Sequence, residues 1–181
     1  LAEGEQVSEV YVITLSDGST INITINITGT DDAPVITADT GSVVEDVQPS
    51  TTGQLTASDA DNPNLQFVAG SQTGAYGELT VNADGSWSYV LNNNAQALVE
   101  GEVQTDTFTV TLTDGSTTTV TVTVTGTDES PVISADVANI TEDVTTTASG
   151  QLTASDADNP NLVFVAETIT GQYGELTVDA D

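Results

Sequence analysis

The 181-residue chain has no lysine, arginine, histidine, cysteine or methionine. Aromatics are sparse, with one Trp, four Tyr and three Phe. Each absence removes a class of function. Without basic side chains the protein has nothing to neutralise phosphates, so nucleic acid is excluded as a partner. Docking on anionic lipid is disfavoured for the same reason. Without His, Cys or Lys, the nucleophile–base pairs and zinc sites built from those residues cannot form. No disulfide is possible. No apolar run is long enough to span a bilayer. The lack of an initiating Met leads us to expect a piece of a longer protein.

The chain is instead acidic. It carries 28 Asp and Glu and a formal charge of −28. None of these carboxylates can pair with a basic side chain. Many are ordinary solvated surface, but where several cluster they repel one another unless a cation sits between them. The hard dication that suits an all-oxygen ligand set is calcium, and magnesium fits an all-protein cage less well.

An internal repeat organises the sequence. Gly-Gln-Leu-Thr-Ala-Ser-Asp-Ala-Asp-Asn-Pro-Asn-Leu occurs at 53–65 and again at 150–162, a shift of 97 residues. The same shift carries Gly29-Thr30-Asp31-Asp32 onto Gly126-Thr127-Asp128-Glu129 and Glu45-Asp46-Val47 onto Glu142-Asp143-Val144. It also carries Leu1-Ala2-Glu3-Gly4-Glu5 onto Leu98-Val99-Glu100-Gly101-Glu102. No insertion is needed. The expected organisation is the C-terminal part of one repeat (1–33), a complete repeat (34–130) and the N-terminal part of the next (131–181). A period of this size is a domain, too long for a solenoid unit.

The pattern is all-β. Phe108, Val110 and Leu112 alternate with threonines, as do Val120, Val122 and Val124. Period two with β-branched residues gives strands with one buried and one wet face. Asp114-Gly115 between these runs reads as a two-residue hairpin turn. Earlier strands are expected near 35–44, 53–58, 65–70, 76–82 and 86–91, and one helical turn within 92–104. Seven strands punctuated by Gly, Asn, Asp and Pro predict an Ig-like sandwich. Trp87, Tyr89, Tyr76, Phe67 and Phe108 fall at strand spacing and read as core.

Three acidic clusters recur with the period. Asp59-Ala60-Asp61-Asn62-Pro63-Asn64 can aim two carboxylates at one point, with Asn and backbone oxygens beside them. An ordinary polar turn is the competing reading. The junction carries Asp31-Asp32, matched by Asp128-Glu129. The third set is Glu45-Asp46 with Glu100-x-Glu102, and Glu3 and Glu5 are counterparts of the latter pair. Sandwich topology lets these meet. The end of the first strand, the loop before the sixth and the exit of the seventh lie at one end of the domain. Glu45, Glu100 and Glu102 then converge on Asp128-Glu129, and the following repeat presents Asp156 and Asp158. Asp59 and Asp61 occupy the same place at the preceding junction. Crowded carboxylates with no basic partner predict a calcium site.

These motifs carry a resemblance. G-T-D-D-A-P-V-I (29–36), V-V-E-D-V (43–47), G-Q-L-T-A-S-D-A-D (53–61), Y-G-E-L-T-V-N-A-D-G-S-W-S-Y-V-L (76–91) and D-T-F-T-V-T-L-T-D-G-S (106–116) resemble the tandem repeats of giant bacterial surface adhesins, the VCBS or bacterial immunoglobulin-like and cadherin-like domains. The resemblance implies sandwiches arranged end to end in long extracellular fibres at the bacterial surface or in a secreted matrix, with calcium at the linkers. It implies that Glu45 stands for the cadherin first-strand Glu, Asp31-Asp32-x-Pro34 for the linker motif and Asp59-x-Asp61 for the second-domain pair. The chain departs from the cadherin pattern at Glu100-Gly101-Glu102, which replaces Asp-Arg-Glu, and at Asn62-Pro63-Asn64, which replaces a glycine-rich stretch.

Three functions compete at this stage. A structural extender stiffened by calcium has the adjacent repeats of its own chain as partners. A glycan- or protein-binding module acting in adhesion would vary its exposed loops between copies and place aromatics there, yet the 53–65 loop is identical between copies and has no aromatic. An enzyme with paired carboxylates needs one asymmetric cleft, whereas every acidic cluster here recurs with the domain period. The expectation is a non-enzymatic extender.

Overall fold

The structure is a computed structural model and describes residues 1–180. It is all-β. In chain order the strands are β1 (Gln6–Thr14), β2 (Thr20–Thr28), β3 (Val35–Ile36), β4 (Asp39–Val44), β5 (Ser50–Gln54), β6 (Ala57–Ser58), β7 (Gly70–Thr73), β8 (Gly77–Val81) and β9 (Ser86–Leu91). A single 3₁₀ turn, Ala95–Ala97, precedes β10 (Val103–Thr111) and β11 (Thr117–Thr125). β12 (Val132–Ile133), β13 (Ala154–Ser155), β14 (Glu167–Thr170) and β15 (Glu175–Val178) follow. Among the described residues no α-helix occurs.

The middle repeat is a sandwich of two sheets. One has the order β10-β11-β4 and the other β5-β9-β8-β7. β4 runs parallel to β11, from Asp39↔Val120 to Val44↔Thr125. The short β3–β6 pair lies outside both sheets. Alternation decides what is buried. Phe108 and Val110 of β10, Leu112 just beyond its end, and Val120, Val122 and Val124 of β11 face inward. They meet Leu79 and Val81 of β8, Trp87 and Tyr89 of β9, and Val43, Leu55 and Phe67. Tyr89 and Phe108 stack at a tilt with centroids 6.0 Å apart. Their threonine neighbours take the outer face, where the β-branched side chain suits a pleated surface without adding apolar area.

Four local details differ from the sequence reading. The second strand, expected at 53–58, is two elements, β5 in the four-stranded sheet and β6 paired with β3. The first strand is broken into β3 and β4, so it serves β6 first and β11 afterwards. The third strand begins at Gly70 and not at Leu65. Phe67 makes only an isolated bridge to Leu112, because the backbone of Leu65 is still closing a turn onto Asn62. The β10–β11 loop holds three residues, not two. Leu112 N–H donates to Ser116 O at 2.8 Å, which leaves Thr113, Asp114 and Gly115 in the loop, with Gly115 at φ +91°. A three-residue loop ending in a left-handed glycine is a standard alternative to the two-residue turn.

The flanking copies reproduce the local pairing. β1–β2 repeats β10–β11 in register, with Gln6↔Thr28 at the place of Val103↔Thr125. β12–β13 repeats β3–β6, and β14–β15 repeats β7–β8. Among the described residues these copies lack the opposing sheet. Tyr11, Ile23 and Ile25 are therefore exposed where Phe108, Val120 and Val122 are buried.

Candidate metal centre

Glu45 is the best-defined acidic residue of the junction. It follows β4, and its N–H donates to Thr125 O at 3.0 Å, so the ladder with β11 continues to it. The chain then folds back sharply, with Val44 and Gln48 bonded through both backbone groups. Asp46 takes the left-handed conformation in this bend, φ 53°, and Asp is among the few residues with a side chain that tolerate it. The bend leaves the Glu45 side chain fully buried, at 0% exposure. The 98–102 loop approaches from the other side. Gly126 N–H donates to Glu102 O at 2.9 Å and Gly101 N–H to Gly126 O at 3.1 Å. A side chain at Gly126 would place its Cβ 2.5 Å from Leu98 O and 2.6 Å from Val99 O. This close approach explains the glycine of the Gly126-Thr127 motif.

These constraints bring carboxylates from three segments together. Glu45 Oε2 accepts a long bond from Thr127 N–H, 3.3 Å. Glu129 Oε1 accepts from Thr127 Oγ1 at 3.4 Å. Glu45 Oε1, Glu129 Oε2 and Asp158 Oδ1 are buried and have no hydrogen-bond partner. A buried orphan oxygen is costly, and a charged one more so. Burial pushes the Glu45 carboxyl up, and the charges of Glu129, Asp46 and Asp158 push the same way against the Thr127 N–H. Asp158 is pushed up to about 6 by a hydrogen bond shared with Asp156, then by desolvation and by the charges of Asp156 and Asp128. The same bond holds Asp156 down.

The other sequence-predicted residues are placed as follows. Asp128 and Glu100 are exposed at the same junction. Glu102 is half-buried, with Oε1 accepting from Gln104 Nε2 at 2.8 Å and Oε2 from Val99 N–H at 3.4 Å. Asp156 Oδ1 accepts from Asp158 and Asn159 N–H at 3.3 and 3.2 Å.

The preceding junction shares the Asp59-Asp61 turn and the Glu5 contact but has no counterpart of Glu45 in the sequence and, among the described residues, no orphaned carboxylate oxygen. Asp59 Oδ1 accepts from Asp61 and Asn62 N–H at 2.8 and 2.9 Å, so it also closes the polar turn weighed against a ligand role. Asp61 Oδ2 accepts from Asp32 N–H at 2.7 Å. Asp31, Asp32, Glu3 and Glu5 are exposed, and Glu5 Oε2 accepts from Ala2 N–H at 3.1 Å.

Among the described residues no three acidic side chains stand in a finished cage around one point. The donor chemistry still fits a hard cation: all oxygen, several charged, three of them buried and unpartnered.

Two buried or half-buried acids were missed in the sequence. Asp106 accepts from Ala75 N–H, Tyr76 N–H and Tyr89 Oη at 2.8, 3.0 and 2.7 Å. Asp39 accepts from Trp87 Nε1 at 2.9 Å and Gln54 N–H at 3.0 Å. Asp106 could have been found, since it occupies the inward frame of Phe108 and Val110.

Among solved structures the chain is similar, at low identity, to several cadherin ectodomains. The chain is similar to a protocadherin gammaB7 EC3-6 cis-dimer structure (18% identity, TM-score 0.39, 98% of this chain and 51% of that one). It is also similar to a PcdhgB3 EC1-4 structure (14% identity, TM-score 0.41, 98% and 48%) and to protocadherin gamma B7 extracellular cadherin domains 1-4 (16%, 0.41, 98% and 48%). The chain thus spans about half the length of these chains. No curated protein sequence matches it. A family model described as the bacterial cadherin-like domain matches residues 31–126, more than half of the sequence, and the chain belongs to that family.

Proposed function

We propose that this adhesion-type module is an extender segment of a long extracellular bacterial adhesin or matrix fibre, stiffened by calcium where repeats join. In this reading 34–130 is a complete domain, 1–33 and 131–181 belong to its neighbours, and the three lie end to end. The partners are adjacent repeats, and the location is the cell surface or a secreted matrix.

The supporting observation is the set of three buried, unpartnered carboxylate oxygens on Glu45, Glu129 and Asp158. They come from the end of β4, from the linker and from the following repeat. Calcium would supply the positive charge this set lacks. The residues that would hold it are Glu45, Glu102, Asp128, Glu129, Asp156 and Asp158, with Glu100 at the rim. Glu3, Glu5, Asp31, Asp32, Asp59 and Asp61 would serve the preceding junction.

The chain's own residues prepare the site. Backbone ladders fix Glu45, Gly126 pins the 98–102 loop to the linker, and the Asp156 turn orients Asp158. Neutralising this set would remove the mutual repulsion of the clustered carboxylates.

The test is thermal melting and small-angle scattering with calcium and with chelator. A ligand that binds only the folded state adds about 4 kcal/mol at a thousandfold excess over Kd. The expected result is a higher melting temperature and a single, longer maximum dimension in calcium. Identical curves with chelator would remove the reading.

A further inference from the structure

Three residues stand one step beyond the end of the β10-β11-β4 sheet. The last rungs pair Val103 with Thr125 and Thr125 with Val44. The next line across the sheet is therefore Glu102, Gly126 and Glu45. Backbone bonds hold it: Gly126 N–H donates to Glu102 O at 2.9 Å and Glu45 N–H to Thr125 O at 3.0 Å. Side chains alternate along a strand. Asp106 and Val43 are buried, so Gln104 and Glu102 share the inner face with Asp106, and Glu45 shares it with Val43. Glu102 and Glu45 thus end the inner face on either side of Gly126. The adjoining Thr127 bonds both Glu45 and Glu129.

Gln104 Nε2 donates to Glu102 Oε1 at 2.8 Å, in partly buried surroundings. We propose that Gln104 is a positioning residue of this junction, which acts through Glu102 by holding its carboxylate in place for the cation. The inference rests on the calcium reading and assigns a role to a residue outside the acidic set.

A comparison of the two copies separates this role from packing. The position of Gln104 in the first copy is Val7, which pairs with Ile27 where Gln104 pairs with Val124. An apolar residue therefore suits the strand at this depth. In both copies a loop N–H donates to the second glutamate: Ala2 to Glu5 Oε2 at 3.1 Å and Val99 to Glu102 Oε2 at 3.4 Å. Among the described residues only Glu102 also receives a side-chain donor from its own strand. Taking an amide out of water costs free energy, and the bond to an ionised acceptor offsets that cost. What the bond fixes is a long, flexible acid beside the orphaned oxygens of Glu45 and Glu129. Partners that orient a metal ligand in this way raise affinity, and their loss weakens metal binding by about 10–100-fold.

The test is a calcium titration of the ¹⁵N-labelled 181-residue chain. The Thr127 amide, which donates to Glu45, reads this junction, and the Thr30 amide reads the preceding one. Gln104→Val installs the residue found at position 7. It should raise the calcium Kd read at Thr127 about tenfold and leave the response of Thr30 unchanged. The melting temperature in chelator should stay where it is. In a Glu102→Ala chain the further change Gln104→Val should alter nothing, because the pair is coupled. The inference is overturned by an unchanged Kd at Thr127, or by an equal loss in the Glu102→Ala chain. It is also overturned if the melting temperature in chelator falls with the calcium affinity, since Gln104 is then a packing residue. If the Thr127 amide of the unmodified chain does not respond to calcium, the calcium reading itself fails, and this inference with it.

Discussion

Trp87 Nε1 donates to Asp39 Oδ2 at 2.9 Å, and this bond ties the centre of one sheet to the first residue of β4 in the other. The same oxygen accepts from Gln54 N–H. Burial works against the Asp39 charge, yet the bonds from Trp87, Thr40 and Gln54 outweigh it and hold the carboxyl below its usual range. Replacing Trp87 by Phe keeps most of the packing but removes the donor. The expected loss is about 1–2 kcal/mol in denaturant melts, against about 3–5 kcal/mol for Trp87→Ala. Equal losses for the two variants would mean the bond contributes nothing.

Asp106 gathers two backbone N–H groups and the Tyr89 hydroxyl in the core. Asp106→Ala leaves three donors without an acceptor and should cost about 2–4 kcal/mol, whereas Tyr89→Phe removes one donor and should cost about 1 kcal/mol. Chemical denaturation of both variants checks the ratio. A larger effect for Tyr89→Phe would contradict the assignment of Asp106 as the hub.

Gly126 has no room for a side chain against the carbonyls of Leu98 and Val99. Gly126→Ala must push the 98–102 loop away from the linker. A loss of about 1–3 kcal/mol is expected, together with weaker calcium binding by calorimetry. Unchanged calcium affinity would separate this loop from the metal centre.

Protonation offers a second probe of the junction. Glu45 and Asp158 are both shifted up. A carboxyl raised in the folded state contributes stability that is fully present below its unfolded value, about 4. That contribution is lost as pH rises through the folded value, about 6 for Asp158. In chelator the junction should therefore be more resistant at pH 5 than at pH 7.5. With calcium the order should reverse, because proton and cation compete for the same oxygens. Scattering profiles at both pH values measure this, and a metal-free junction indifferent to pH would count against the upward shifts of Glu45 and Asp158.

Much of the fold was legible because alternation is a direct physical signature. Phe108, Val110 and Leu112 can lie on one face only if the backbone is extended. Leu65 through Val68 carry the same alternation, yet ladder pairing starts at Gly70, in a polar Gly-Ser-Gln-Thr run that has no apolar signal. Asp106 was overlooked because a carboxylate in an apolar frame reads as surface. Its backbone donors lie about 30 residues away and leave no trace in local sequence. Periodicity and sandwich topology led to the expectation that Glu45, Glu102 and Glu129 lie at one end of the domain. Which oxygens are orphaned depends on individual rotamers, and no pattern encodes those.

The parallel pairing of β4 with β11 has a mechanical consequence. Tension on the linkers pulls the chain in at the start of β4 and out at the end of β11. Once the two-residue β3–β6 pair yields, the two strands are drawn past each other along their length. From Asp39↔Val120 to Val44↔Thr125 the backbone bonds are then loaded together, in shear. An antiparallel pair pulled from its open end would release its bonds one at a time. In the proposed fibre the seam between β4 and β11 would set the force at which the repeat gives way, and a stretched string of such repeats would hold at full length until that force is reached.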